Sequence, residues 1–218
     1  MKTAILLPTL NEVEAIGEMI KRVRVINPEF DIYVVDSGST DGTVDIAKNE
    51  NARIISLSER GKGLAIKKAF LEVDCDQLVL LDSDSSYMPE EIPVLLKALE
   101  VCDVVVGSRF AGKIEEGSMK GLNRFGNKML TLLGDVLYGR NKTDLCSGFW
   151  AFKRESYKKM TIDAKHFSLE ANLFVECSKH KLRLCEVPIT YGKRQGQTKL
   201  SPLHGFEIGG YLLRRRVG

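Results

Sequence analysis

Short runs of Val, Ile and Leu recur through the first half of the chain, each stopping at a turn of small or acidic residues before an amphipathic stretch begins. Ala4 to Leu7 is closed by Pro8, and Asp31-Ile32-Tyr33-Val34-Val35-Asp36 by Ser37-Gly38-Ser39. Arg53 to Leu57, Leu78 to Leu81 and Asp103 to Gly107 follow the same plan. Runs this short and this apolar read as strands buried on both faces. The segments between them carry helical spacing. Val13, Ile16, Ile20 and Val23 share one face of a helix from about Glu12 to Val25, and Pro89 opens another that reaches about Leu99. Strand and helix in repeated alternation predict an α/β fold: a mostly parallel, Rossmann-like central sheet with helices on both faces. Ligands in such sheets bind outside the carboxyl ends of the strands, so chemistry is expected just after each apolar run.

The rhythm breaks after Gly107. Phe110 to Lys120, rich in Gly and charge, is expected to be a loop, and Arg124 to Leu137 a long amphipathic helix. Cys146 to Phe152 reads as extended, Leu169 to Lys179 as a helix, and Leu182 to Ile189 as a strand. A last helix runs from about Pro202 to Arg215. No repeat or low-complexity linker divides the chain, so residues 1–218 are expected to form a single domain.

Composition excludes some partners. A net charge of +3 on 218 residues gives no reason to expect nucleic acid. The five cysteines are odd in number and show no C-x-x-C spacing, which argues against a zinc site or disulfide scaffold and for a reducing compartment. The apolar start is too short for a signal peptide, and no run is long enough to cross a bilayer, so the expectation is a soluble or peripheral protein. Phe206, Ile208, Tyr211, Leu212 and Leu213 with Arg214-Arg215-Arg216 form a tail that can rest on an anionic membrane surface or pack as an ordinary core helix.

The strand Leu78 to Leu81 ends in Asp82-Ser83-Asp84. Adjacent carboxylates repel, and one takes up a proton unless a cation sits beside them. Two hard oxygen ligands on a short turn suit Mg²⁺ or Mn²⁺, which fills its other positions with water and substrate phosphate. The same triplet also occurs as a solvated turn, and its surroundings favour the metal reading. Asp36 closes a strand where a carboxylate can accept from a ribose or a base, or cap a helix. Arg60 and Lys62 flank glycines within reach of a diphosphate. Arg109 follows another strand end, where its fork suits a phosphate. Arg194 and Lys199 lie on a late basic loop. His166, His180 and His204 are scattered, and no Ser/His/Asp or Cys/His arrangement is present.

Several segments occur in a set order: Pro8-Thr9-Leu10-Asn11-Glu12, Val34-Val35-Asp36-Ser37-Gly38-Ser39-Thr40-Asp41-Gly42-Thr43, Arg60-Gly61-Lys62-Gly63 and Asp82-Ser83-Asp84. Gly107-Ser108-Arg109-Phe110, Ser147-Gly148-Phe149-Trp150-Ala151-Phe152, Glu186-Val187-Pro188-Ile189 and Arg194-Gln195-Gly196-Gln197-Thr198-Lys199-Leu200 complete the series. Together they resemble the family-2 glycosyltransferases of GT-A fold, and among these the dolichyl-phosphate mannose and glucose synthases. The resemblance implies a donor pocket lined by Pro8, Asn11, Glu12, Lys62 and Ser83 with Asp36 beneath the base. It implies a divalent metal on Asp82 and Asp84, an acceptor phosphate facing Arg109 and Arg124, and Ser147 and Gly148 near the sugar. Arg194 and Lys199 would close on the donor, and Asp84, Arg109, Arg194 and Lys199 would carry catalysis. The chain reads Asp36-Ser37 where the family has Asp-Asp, and Ser86 where relatives often carry Gln.

The implied reaction is a metal-dependent, inverting transfer of a hexose from a nucleotide-diphosphate sugar (UDP- or GDP-) to polyprenyl or dolichyl phosphate, on the cytoplasmic face of a membrane. A lipid phosphate is already an anion, so no general base is required. The alternatives are transfer to a sugar hydroxyl, for which Glu170 is the available base, and an inactive nucleotide-sugar-binding module.

Overall fold

The computed structural model describes residues 1–57, 59–164, 167–196 and 204–217. Its strands are β1 (Thr3–Thr9), β2 (Asp31–Asp36), β3 (Arg53–Ser56), β4 (Gln77–Leu81), β5 (Val104–Ile114), β6 (Phe149–Lys153) and β7 (Leu184–Tyr191). Its helices are α1 (Ile16–Ile26), α2 (Thr43–Asn49), α3 (Lys62–Glu72), α4 (Ile92–Ala98), α5 (Gly121–Tyr138), α6 (Arg154–Tyr157), α7 (Leu169–Lys179) and α8 (His204–Val217). Among the described residues the strands form one sheet in the order β3-β2-β1-β4-β6-β5-β7. Every pairing is parallel except those of β6, which runs antiparallel between β4 and β5.

Alternation along each strand feeds two cores. Leu78, Leu80, Val104, Val106, Trp150 and Phe152 point to one face, under α3, α7 and α8. Ile5, Leu7, Val79, Leu81, Val105 and Phe149 point to the other, under α1 and α4. Each such side chain removed from water contributes about 1.5–3 kcal/mol, which is why apolar runs without polar alternation were needed at the sheet centre. Trp150, fully buried, stacks on Phe152 at 6.1 Å and donates its Nε1 to the Ser147 carbonyl at 2.6 Å.

Two expectations are corrected, and the two readings of the C-terminal tail divide between its residues. Phe110 is not the start of a loop: β5 continues to Ile114 through a bulge between Ser108 and Lys113, then pairs Lys113 with Thr190 and Ile114 with Tyr191. A Cβ on Gly112 would lie 2.0 Å from the Ile189 carbonyl oxygen, so the close approach of β7 requires glycine there. Cys102 and Cys185 are joined in a disulfide with Cα atoms 6.1 Å apart, where the cysteine count argued against one. They become neighbours only because β5 and β7 lie side by side, 83 residues apart in sequence. The tail also divides: Ile208, Tyr211 and Leu212 are buried in the core, whereas Phe206 and Leu213 are exposed. No helix among the described residues is long and apolar enough to cross a membrane.

Candidate active site

Because β1, β2, β4, β5 and β7 are parallel, their carboxyl ends share one edge. The loops leaving that edge surround a cavity of about 920 Å³. Its inner wall holds Glu12, Lys62, Asp82, Asp84, Arg109 and Glu170. Exposed Arg60, Lys120 and Lys193 stand around its rim.

The acid pair sits at the inner end. Leu81 faces Phe149 across the antiparallel β4–β6 pairing, so the next residues outward, Asp82 and Gly148, meet. A Cβ on Gly148 would lie 2.2 Å from Asp82 Oδ2, so the Asp82 carboxylate occupies the space that glycine leaves open. Asp82 Oδ1 is 2.6 Å from Lys62 Nζ, and the same ammonium is 2.6 Å from Glu170 Oε1 on α7. Burial alone would push the Lys62 pKa down, but Asp82 and then Glu170 outweigh it and hold the ammonium well above its usual value.

Asp84 is arranged in the same manner. Its Oδ1 accepts from the backbone N–H of Ser86 at 2.9 Å and from the Ser86 hydroxyl at 2.5 Å. Its Oδ2 is 2.8 Å from Arg194 Nη1, and Arg194 Nη2 is 2.6 Å from Glu12 Oε1. Ser85, between them, has φ +63°, a left-handed conformation unusual for a non-glycine residue. These six side chains thus comprise four carboxylates and two cations.

This donor set fits Mg²⁺ or Mn²⁺ better than a closed protein cage. Among the described residues no cluster of three or more His, Cys, Asp or Glu is arranged to hold a metal. Two carboxylates at a cavity floor leave the remaining positions to water and substrate oxygens, as a hard, octahedral cation requires. Replacing Gly148 by Ala is expected to displace Asp82 and lower turnover about a hundredfold, the usual cost of moving a reacting group by about 1 Å. Single-turnover rates and Mn²⁺ affinity, measured together, check this.

Arg109 is buried beside this cluster. Its Nε and Nη2 each lie 2.7 Å from an oxygen of Asp144, and its backbone N–H donates to the same carboxylate at 3.0 Å. Asp144 is fully buried. Its loop is fixed from β7, where Glu186 Oε1 accepts from the backbone N–H of Thr143 at 2.8 Å and of Asp144 at 3.0 Å. The Arg109 guanidinium also lies over the Tyr191 ring at 5.2 Å, and Tyr191 packs edge-on against Tyr87. Burial works against the Arg109 charge, yet Tyr87 and Asp144 outweigh it and hold the cation firmly protonated. Cys146 also lines the cavity, where burial raises its thiol pKa and disfavours the thiolate.

The remaining sequence candidates divide. Pro8, Glu12, Lys62, Ser83 and Arg194 line the cavity, and Ser83 donates to the Pro8 carbonyl at 2.8 Å, tying the β4 loop to β1. Asp36 and Asn11 do not line it. Asp36 accepts from the backbone N–H groups of Gly38 and Ser39 at 3.0 and 3.1 Å, and Asn11 braces the same turn by accepting from Thr40 N–H at 2.9 Å. Ser147 is buried and donates to the Gly107 carbonyl at 2.5 Å, joining β5 to the loop before β6. Arg124 is exposed on α5 and is not part of the cavity wall, where Asn123 and Asn127 stand instead. Lys199 and His166 lie outside the described residues. Asp144 and Tyr87 were not singled out from sequence, and Glu186 was marked only as part of the segment Glu186-Val187-Pro188-Ile189, with no role. The spacing of Asp144 to Cys146-Ser147-Gly148 was the only local signal for the first.

Residues 4–161 match glycosyl transferase family 2. Glycosyltransferase AglJ of Haloferax volcanii is 35% identical over 218 residues, covering 98% of this chain and 71% of that protein. The dolichyl-phosphate hexose transferase of the same organism is 33% identical over 204 residues, covering 93% of this chain and 88% of its own. The undecaprenyl-phosphate mannosyltransferase of Micrococcus luteus is 32% identical over 218 residues, covering 92% and 88% respectively. Glucosyl-3-phosphoglycerate synthase from Mycobacterium tuberculosis, solved with Mn²⁺, uridine diphosphate and glucosyl-3-phosphoglycerate, superposes with a TM-score of 0.79 at 22% identity, over 99% of this chain and 80% of that one. That likeness shows the fold, and the sequence matches show the lineage. The chain belongs to glycosyl transferase family 2, as a glycosyltransferase of GT-A fold.

Proposed function

We propose that this enzyme transfers a hexose from a nucleoside-diphosphate sugar to a polyprenyl phosphate, with inversion at the anomeric carbon. The observation that carries the reading is the convergence of Asp82 and Asp84 with Lys62 and Arg194 at the floor of one cavity, next to Arg109. Two relatives of like length, by their names, act on dolichyl phosphate and undecaprenyl phosphate.

A nucleoside diphosphate leaves poorly until its charge is neutralised. Mg²⁺ or Mn²⁺, held by Asp82 and Asp84, supplies that neutralisation when bound. Lys62 and Arg194 stand beside the acids at the cavity floor, where their positive charge stabilises the charge that develops on the leaving group. Pro8, Glu12 and Ser83 shape the donor side of the cavity. Arg109 faces the acceptor phosphate and holds it in line with the anomeric carbon.

The acceptor is itself an anion, so no base is needed. Glu170 agrees with this: the carboxylate available for proton abstraction is tied to Lys62 at 2.6 Å. Transfer to a sugar hydroxyl would need Glu170 free.

Binding to the native state alone raises the unfolding midpoint. UDP- or GDP-hexoses are expected to raise it only when Mn²⁺ is present, and hexose is expected to pass to polyprenyl phosphate but not to a free sugar. No shift with any nucleotide sugar in either metal overturns the reading.

A further inference from the structure

α5 packs Leu130, Leu133 and Leu137 against the core and carries a second apolar face that the core does not cover. Leu122, Phe125, Met129, Leu132 and Val136 recur at spacings of three and four, which places them on one stripe, and all five are exposed. The residues α5 buries, Thr131 and Gly134, lie on another side. α8 repeats the arrangement: Ile208, Tyr211 and Leu212 are buried, while Phe206, Leu213 and Val217 face out, Phe206 at 82% exposure. The two helices pack side by side. Leu130 and Leu133 stand in contact range of a Cβ built on Gly209, and the Tyr138 hydroxyl donates to the Leu212 carbonyl at 2.8 Å. The stripes therefore join across the seam into one outward apolar surface.

Such a surface on a soluble-sized domain marks an interaction site. From this placement we infer that the α5–α8 face docks on a lipid bilayer with anionic headgroups, at the mouth of the active-site cavity. Charge selects the occupant. Exposed Lys120, Arg124 and Lys128 lie with the α5 stripe, and exposed Arg214 and Arg216 with the end of α8, against Asp135 and Glu207 on the same two helices. Arg215 is excluded from this set, being paired with Asp163 and Glu176 at 3.0 and 2.8 Å. A second copy on the same face would bring basic edges against basic edges, whereas an anionic leaflet complements them. Position points the same way. Leu122 belongs both to the stripe and to the cavity wall, where Ile208 of α8 also stands. A phosphate carried on a polyprenyl chain reaches Arg109 from a bilayer lying on this face, so the inference rests on the proposed acceptor and deepens it.

Co-sedimentation with phosphatidylcholine vesicles, with and without phosphatidylglycerol, tests the surface. The full chain is expected to bind the phosphatidylglycerol vesicles, and F125S/L132S to lose partitioning by at least about tenfold. K128E/R216E is expected to lose about as much, each removed cation costing about fivefold and each introduced acid more, and added salt is expected to reproduce the loss. F125S/L132S should keep wild-type thermal stability and wild-type transfer to a short, water-soluble prenyl phosphate without vesicles. Wild-type protein remaining in the supernatant, or either variant binding like wild type, overturns the inference. So does a wild-type dimer by light scattering that F125S/L132S makes monomeric with vesicle binding unchanged, because the face then belongs to a second copy. Vesicle binding as expected, with no transfer to any prenyl phosphate, upholds the docking surface and removes the proposed acceptor instead.

Discussion

Asp84→Asn is expected to lower hexose transfer about a thousandfold, the loss typical of removing an electrostatic contributor to a charged transition state. Asp82→Asn is expected to do the same. Neither change should cost much stability, and the reason is in the pairing. Breaking a buried ion pair usually strands a charge at a cost of about 3–5 kcal/mol. Here each cation has two carboxylates: Lys62 keeps Glu170 when Asp82 is neutral, and Arg194 keeps Glu12 when Asp84 is neutral. The Asn variants should therefore escape the cost of a stranded charge and unfold close to wild type. Mn²⁺ affinity, read from the paramagnetic signal of the free ion, should fall with transfer. If the Asn variants bind Mn²⁺ and turn over normally, the acid pair is an ordinary turn that holds no metal.

Elements whose signal is local were legible in the chain. β2 runs from Asp31 to Asp36 and α7 from Leu169 to Lys179, as read from their apolar patterns. The end of β5 was not legible, because Phe110 to Lys113 are exposed or only partly buried and their pairing with β7 supplies no apolar run. The disulfide was hidden for a related reason. A cysteine count reports parity and spacing, whereas Cys102 and Cys185 meet through sheet order.

The site divides along the same line. Asp82 and Asp84 follow a strand end, Arg109 stands at the bulge within β5 where the apolar run stops, and Arg194 lies on a late loop; sequence marks such positions. Their partners are distant: Lys62 is 108 residues from Glu170, Arg194 is 182 from Glu12 and Arg109 is 35 from Asp144. So the chain announced the charges and left the pairing unstated. Ser147 shows the opposite error, a motif residue whose hydroxyl faces the Gly107 carbonyl rather than the cavity. Arg124 drew attention by charge, but α5 presents Asn123 and Asn127 to the cavity instead.

Arg109→Ala is expected to destabilise the protein by about 3–5 kcal/mol, because it leaves a fully buried Asp144 carboxylate without its cation. On its own that variant would lose transfer for either of two reasons, a missing acceptor clamp or a loosened site. A second substitution separates them. Asn at position 144 carries no charge and keeps an oxygen that accepts from the Arg109 backbone N–H, a bond the side-chain change leaves in place. R109M/D144N should therefore regain about 2 kcal/mol or more of the loss, because replacing both partners of a buried pair avoids the stranded charge. Transfer should not return with it. Donor affinity in the double variant should match wild type, since Lys62, Asp82, Asp84 and Arg194 are untouched, while the acceptor concentration needed for half-maximal rate rises at least about tenfold for loss of a charge-assisted phosphate contact. If R109M/D144N regains transfer along with stability, Arg109 is a structural partner of Asp144, and the acceptor phosphate is held by the exposed cations of the rim, Arg60, Lys120 and Lys193.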